Sequence, residues 1–169
     1  MVLSQRVQQL EESATLAVSA KAAAMKKQGI DVVSFGAGEP DFATPERIRE
    51  ACKKALDAGY TKYASPSSGI LAAKEAACSK LKRENSLEYK PSQVMITVGG
   101  KEALFLACMA LLNEGDEVLL PSPYWVSYPE QAKLCGAKVV YVEGCESMSF
   151  KLTPEQIADA ITPKTKVFI

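Results

Sequence analysis

A chain of 169 residues with 20 basic and 20 acidic side chains and 47% hydrophobic residues can build one real core, and it carries no charge excess that would draw it to nucleic acid. It contains no histidine, which excludes imidazole metal centres and triads that rely on a histidine base, and no metal site is expected. The longest apolar run, Ala103 to Leu112, is too short to span a bilayer, and the opening MVLSQRVQQLEES lacks the apolar centre of a secretion signal, so a cytoplasmic protein without membrane contact is expected.

From Ser4 to Lys27 the spacing of Val7, Leu10, Ala14, Ala17 and Val18 predicts a single amphipathic helix stopped by Gly29. A short strand over Asp31–Phe35 should lead into the loop Gly36-Ala37-Gly38-Glu39-Pro40-Asp41. Thr44 as N-cap, Pro45 in the first helical position and the apolar face Ile48, Ala51, Cys52, Ala55 and Leu56 predict a helix that Gly59 closes. A loop rich in Ser and Pro follows over Tyr60–Gly69, and a further helix is expected from about Ile70 to Arg83. After Pro91 strands are predicted at Gln93–Val98, Glu117–Leu120, Lys138–Val142 and Lys166–Ile169, with helices near 101–112, 125–135 and 154–161 between them. Such alternation argues for parallel βαβ units and an α/β fold. The odd set of cysteines, Cys52, Cys78, Cys108, Cys135 and Cys145, has no metal-ligand spacing and reads as reduced packing residues.

The helix after Gln93–Val98 is apolar on every side, which predicts burial and leaves Gly99-Gly100-Lys101 as its polar end. A helix N-terminus with glycines is a ready anion site, although the same glycines also suit a plain βα turn. The spacing of a P-loop is absent, and so is the G-x-G-x-x-G turn of a dinucleotide-binding domain. The next strand runs into Pro121-Ser122-Pro123-Tyr124-Trp125, placing the sole tryptophan at the same sheet edge, where its indole can stack on a planar ring or serve only as core. Gly38 can offer backbone to a carboxylate, and the Tyr63 phenol can donate to a phosphate or cap an interface. Ser79-Lys80 lies in a charged, solvated helix end and is no candidate for a catalytic lysine.

In this order, "SFGAGEPDFATPE", "TKYASPSSG", "YKPSQVMITVGGKEALF", "NEGDEVLLPSPYWVSYPE" and "FKLTPEQIADAITPKTKVFI" resemble the class I aminotransferases, closest to the bacterial aspartate aminotransferase subgroup, from about Asp31 to Ile169. The resemblance implies the pyridoxal 5′-phosphate transferase fold of the aspartate aminotransferase type, here an incomplete, parallel-rich sheet flanked by helices. It also implies a homodimer whose active sites draw on both subunits. Residues 1–44 would be an N-terminal helix and substrate loop belonging to the small domain and interdomain segment, and 45–169 the N-terminal part of the large cofactor-binding domain. By the same resemblance Gly99, Gly100 and Lys101 bind the cofactor phosphate, Trp125 stacks on the pyridine ring near the substrate, and Gly38 meets the substrate α-carboxylate. Tyr63 reaches the phosphate of the neighbouring subunit's cofactor, and Lys101 is also a partner for the distal carboxylate of a dicarboxylic substrate.

One departure is Ile70-Leu71-Ala72-Ala73, where the family commonly has Pro-Glu-Leu-Arg. The larger one is that the Schiff-base lysine, the aspartate paired with the pyridine nitrogen and the arginine for the α-carboxylate are expected beyond Ile169. No catalytic residue is therefore assigned within this chain, which is expected to be the N-terminal portion of an enzyme exchanging an amino group between L-aspartate and 2-oxoglutarate. Aromatic, kynurenine or prephenate aminotransferase activity remains an alternative. So does a non-catalytic module, truncated and serving in phosphate binding or dimerisation.

Overall fold

The computed structural model describes residues 2–36 and 38–169; Ala37, named above with the glycine loop, lies outside the described residues. The chain divides into two compact units, one formed by the segment up to Gly38 with Gly100–Ile169, the other by Glu39–Gly99.

In the first unit the N-terminal segment forms two helices where one was expected, α1 (Gln5–Gln8) and α2 (Ala14–Lys27). The reason is a second start signal. The hydroxyls of Ser4 and Ser13 accept from the amides of Val7 and Leu16, so Ser13 caps a new helix and does not continue the old one. Residues 31–35 do not form the expected strand, because none of the described strands pairs with them.

The second unit holds α3 (Glu46–Asp57) and α4 (Leu71–Asn85). The helix α3 starts one residue later than predicted: Pro45, with ψ 138°, is the cap residue itself and Thr44 does not cap. Gln93–Val98 is likewise no strand. Residues 91–93 form a 3-10 turn, and the following segment is tied to the unit by the Ile96 amide donating to the Ser68 carbonyl at 2.8 Å. An extended segment becomes a strand only when a neighbour supplies a ladder, and an apolar pattern does not reveal whether one is available.

The predicted βα alternation is present in the rest of the first unit. After α5 (Gly99–Leu111) come β1 (Glu117–Ser122), α6 (Ser127–Leu134), β2 (Lys138–Glu143), α7 (Pro154–Ala160) and β3 (Thr165–Phe168). The sheet has the order β2-β1-β3 and is wholly parallel, with Glu117 opposite Lys138 and Ser122 opposite Glu143. Val118 pairs with Val167 on the other side, after an irregularity that Glu117 introduces. A central parallel strand is covered on both faces, and Val118, Leu119 and Leu120 are accordingly buried. Cys108, Leu112, Val118, Ala132 and Ala137 form one apolar cluster. Thr153 opens α7 with a reciprocal capping box to Gln156.

Two expectations about packing are corrected. The apolar helix α5 is not buried all round: Cys108 is enclosed, while Leu111 is 58% exposed and Leu106 and Met109 are open as well. Of its apolar side chains, only those on the stripe through Cys108 and Leu112 are buried among the described residues. The cysteines are not uniformly core residues either, since Cys52 and Cys145 are exposed.

This division sets an order of reactivity. The Cys145 thiol is held below the usual range by its bond with the Ser147 hydroxyl at 3.1 Å, whereas burial pushes the Cys108 and Cys135 thiols up. The thiolate is the reacting form, so iodoacetamide at neutral pH is expected to label Cys145 first. Its rate-against-pH curve should have a midpoint lower than that of Cys108. Peptide mass spectrometry with time gives the order, and equal labelling of Cys108 and Cys145 in the native protein would contradict it.

Candidate functional site

Parallel sheets bind ligands at the carboxyl ends of their strands. Beyond the end of β1 the chain passes through a cis Ser122–Pro123 bond to Tyr124 and Trp125 and then enters α6. The end of β2 is held close to it. The Gly144 amide donates to the Ser122 carbonyl at 3.1 Å, and a Cβ on Gly144 would lie 2.7 Å from the Phe150 carbonyl oxygen, so only glycine fits this close backbone approach.

At the start of α5, Gly99 has φ +81°, a left-handed conformation that favours glycine. Its amide donates to the Thr97 carbonyl and its carbonyl accepts from the Thr97 hydroxyl, each at 2.9 Å, which fixes the turn. The amides of Gly100 and Lys101 belong to the set that an α-helix leaves without intrahelical partners. A Cβ at Gly99 or Gly100 would meet nothing within 4 Å, so the backbone there is open to close approach.

Lys101 and Trp125, two of the residues singled out from the sequence, are brought together: the Lys101 ammonium stands 4.7 Å from the centroid of the indole. Tyr128 meets the same ring edge-on at 5.6 Å, and Tyr124 stacks on Tyr141 with centroids 5.2 Å apart. Burial, reinforced by the neighbouring Tyr124 hydroxyl, pushes the Tyr141 phenol up. Trp125 itself is 44% exposed, so it is a surface ring with room for a ligand and not a core tryptophan.

Gly38 is exposed backbone in the first unit, with space around its Cα. Tyr63 lies in the second unit, fully exposed in the loop before α4. Sequence reasoning missed Gln131. This α6 side chain is only 6% exposed, and its Nε2 donates to the Lys101 carbonyl at 2.8 Å. The available signal was a polar residue between Pro129 and Ala132, which are also buried, on the inner face of a short helix.

A helix N-terminus opened by glycines, a cation and a half-open aromatic plane are chemistry that a phosphate and a flat ring can use. The family model described as aminotransferase class I and II matches residues 30–169. The chain is 53% identical over 169 residues to the aspartate aminotransferase of Geobacillus stearothermophilus, covering 100% of this chain and 43% of that protein. It is 50% identical over 167 residues to the aspartate/prephenate aminotransferase of Thermus thermophilus, covering 99% and 43%. The structure of the Thermus thermophilus aspartate aminotransferase with maleate superposes with a TM-score of 0.95 at 49% identity, over 99% of this chain and 44% of that one. The chain thus spans about 43% of the length of the curated relatives it matches. With the parallel, helix-flanked sheet in place and the family model covering residues 30–169, the chain belongs to the class I and II aminotransferases.

Proposed function

We propose that this chain supplies the phosphate-binding and ring-stacking part of a pyridoxal-phosphate-dependent aminotransferase that exchanges an amino group between L-aspartate and 2-oxoglutarate, in a polypeptide of the relatives' length. The observation that carries the reading is the Lys101 ammonium lying over the Trp125 ring at the first turn of α5. When bound, pyridoxal phosphate supplies the electron sink that stabilises negative charge at the substrate Cα.

The residues of this chain bind and orient. Amides of Gly100 and Lys101, at the positive end of the α5 dipole, receive the phosphate, and Gly99 lets the turn come close. Trp125 holds the ring flat and covers it from water. Lys101 contributes a cation for the phosphate or for the distal carboxylate of a dicarboxylic substrate, in keeping with the maleate in the Thermus thermophilus neighbour. Gly38 presents backbone to the α-carboxylate. Tyr63, exposed in its own unit, donates to the phosphate in the neighbouring subunit of a cytoplasmic homodimer. On this reading the division at residue 44 separates a substrate segment from the large domain, and proton transfer falls to a lysine expected beyond Ile169. The 169-residue chain by itself would not transaminate.

The test compares visible spectra of the protein at the relatives' length and of the 169-residue chain, each with pyridoxal phosphate, before and after L-aspartate. The long form should show a cofactor band that changes with aspartate and should make glutamate from 2-oxoglutarate, whereas the short chain should do neither. A substrate-sensitive band in the short chain would place catalysis on a lysine within it and overturn the assignment. Prephenate belongs in the acceptor panel, because one of the matched relatives is an aspartate/prephenate aminotransferase.

A further inference from the structure

Gln131 sits on α6 with its amide enclosed. Nε2 is spent on the Lys101 carbonyl at 2.8 Å, while Oε1 is buried with no hydrogen-bond partner among the described residues. Turning the amide over would set two acceptor oxygens against each other, so the Lys101 carbonyl dictates its orientation. Packing alone does not account for this side chain. An apolar residue of the same length would fill the space beside Pro129 and Ala132 without leaving an oxygen unpaired, and a buried unpaired acceptor is unfavourable for folding.

The bond joins two particular pieces of chain. One is the first turn of α5, where the Lys101 carbonyl is already oriented as a helix acceptor. The other is α6, which starts two residues after Trp125. Ring and cation therefore stand 4.7 Å apart on elements that Gln131 ties together from beneath. A tie of this kind narrows the range of relative positions before any ligand arrives, and such preorganisation raises affinity without adding a contact.

We propose that Gln131 is a positioning residue that sets the first turn of α5 against Trp125, acting through the Lys101 carbonyl. Its effect on cofactor affinity rests on the aminotransferase reading above; its effect on the Lys101–Trp125 geometry does not.

The test uses Gln131→Met, which keeps length and removes the donor and the unpaired oxygen together. Trp125 is the sole tryptophan, so its emission reports on this spot alone. Without ligand, acrylamide quenching of Trp125 should rise about twofold as the ammonium leaves the ring, while the melting temperature stays within about 3 °C of the parent. With pyridoxal phosphate, titrated by quenching of Trp125, the dissociation constant should rise about tenfold, the loss of one hydrogen bond's worth of positioning.

A variant that melts like the parent with unchanged quenching and unchanged affinity overturns the proposal, as does one that loses melting temperature alone. Increased quenching in the variant, with no uptake of pyridoxal phosphate even by the protein at the relatives' length, supports the positioning role and sinks the aminotransferase reading instead. Should Gln131→Met fail to fold, nitrogen-15 spectra of the unsubstituted protein decide. The Gln131 side-chain amide protons should exchange slowly with solvent and shift when pyridoxal phosphate is added, and rapid exchange without a shift overturns the proposal.

Discussion

Shortening Leu119 to alanine is expected to lower folding stability by about 2–5 kcal/mol, the range for a large-to-small change in an enclosed site. Leu119 is 0% exposed in the middle of β1, opposite Val140 on one side and Phe168 on the other, and its carbonyl accepts from the Ile169 amide at 3.1 Å. A strand clamped on both edges cannot shift to fill the gap, so the cavity persists. The urea midpoint measures the effect, with Leu106→Ala on the open face of α5 as the comparison. Equal losses for the two would mean that β1 is not the centre of the core.

Reversing the charge at Lys101 is expected to weaken pyridoxal phosphate binding by about 100-fold in Lys101→Glu and about tenfold in Lys101→Ala, since a charge-assisted hydrogen bond contributes roughly 1.5–3 kcal/mol and the glutamate adds repulsion. Lys101 is an exposed side chain, so neither change should move the melting temperature by more than a few degrees, about the shift of a surface substitution. Quenching of Trp125 reports the binding, because the ammonium and the indole are neighbours. Salt provides a second axis. Affinity of the parent should fall with ionic strength more steeply than that of Lys101→Ala. Binding by Lys101→Glu at parental affinity would remove the α5 turn from the cofactor site.

The helix start at the proposed site was legible because its signal was local. Gly99-Gly100-Lys101 reads as a helix start because glycine in a left-handed turn and a cation before an apolar run are properties of adjacent residues, and Gly99 has φ +81°. The strand–helix alternation from Glu117 onward was visible for the same reason. Placing Trp125 at the carboxyl end of β1 needed one more rule, that strands in βαβ units all present their carboxyl ends on one side.

What failed was non-local. Asp31–Phe35 and Gln93–Val98 carry strand-like residues but have no ladder, and a ladder depends on a partner far away in sequence. The apolar run of α5 predicted burial on every side, yet only the stripe toward Cys108 is covered. Gln131 has nothing in its neighbourhood in sequence to connect it with Lys101, thirty positions earlier.

The order of elements from Glu117 onward, the glycine turn, the aromatic strand end and the family were therefore determined by the amino-acid sequence itself, because each rests on backbone preference or on contiguous motif. Which segments pair, which face of α5 is covered, how near Lys101 stands to Trp125 and what holds that distance were decided only by the tertiary structure. Those are outcomes of packing between residues far apart in the chain, and propensity carries no information about them.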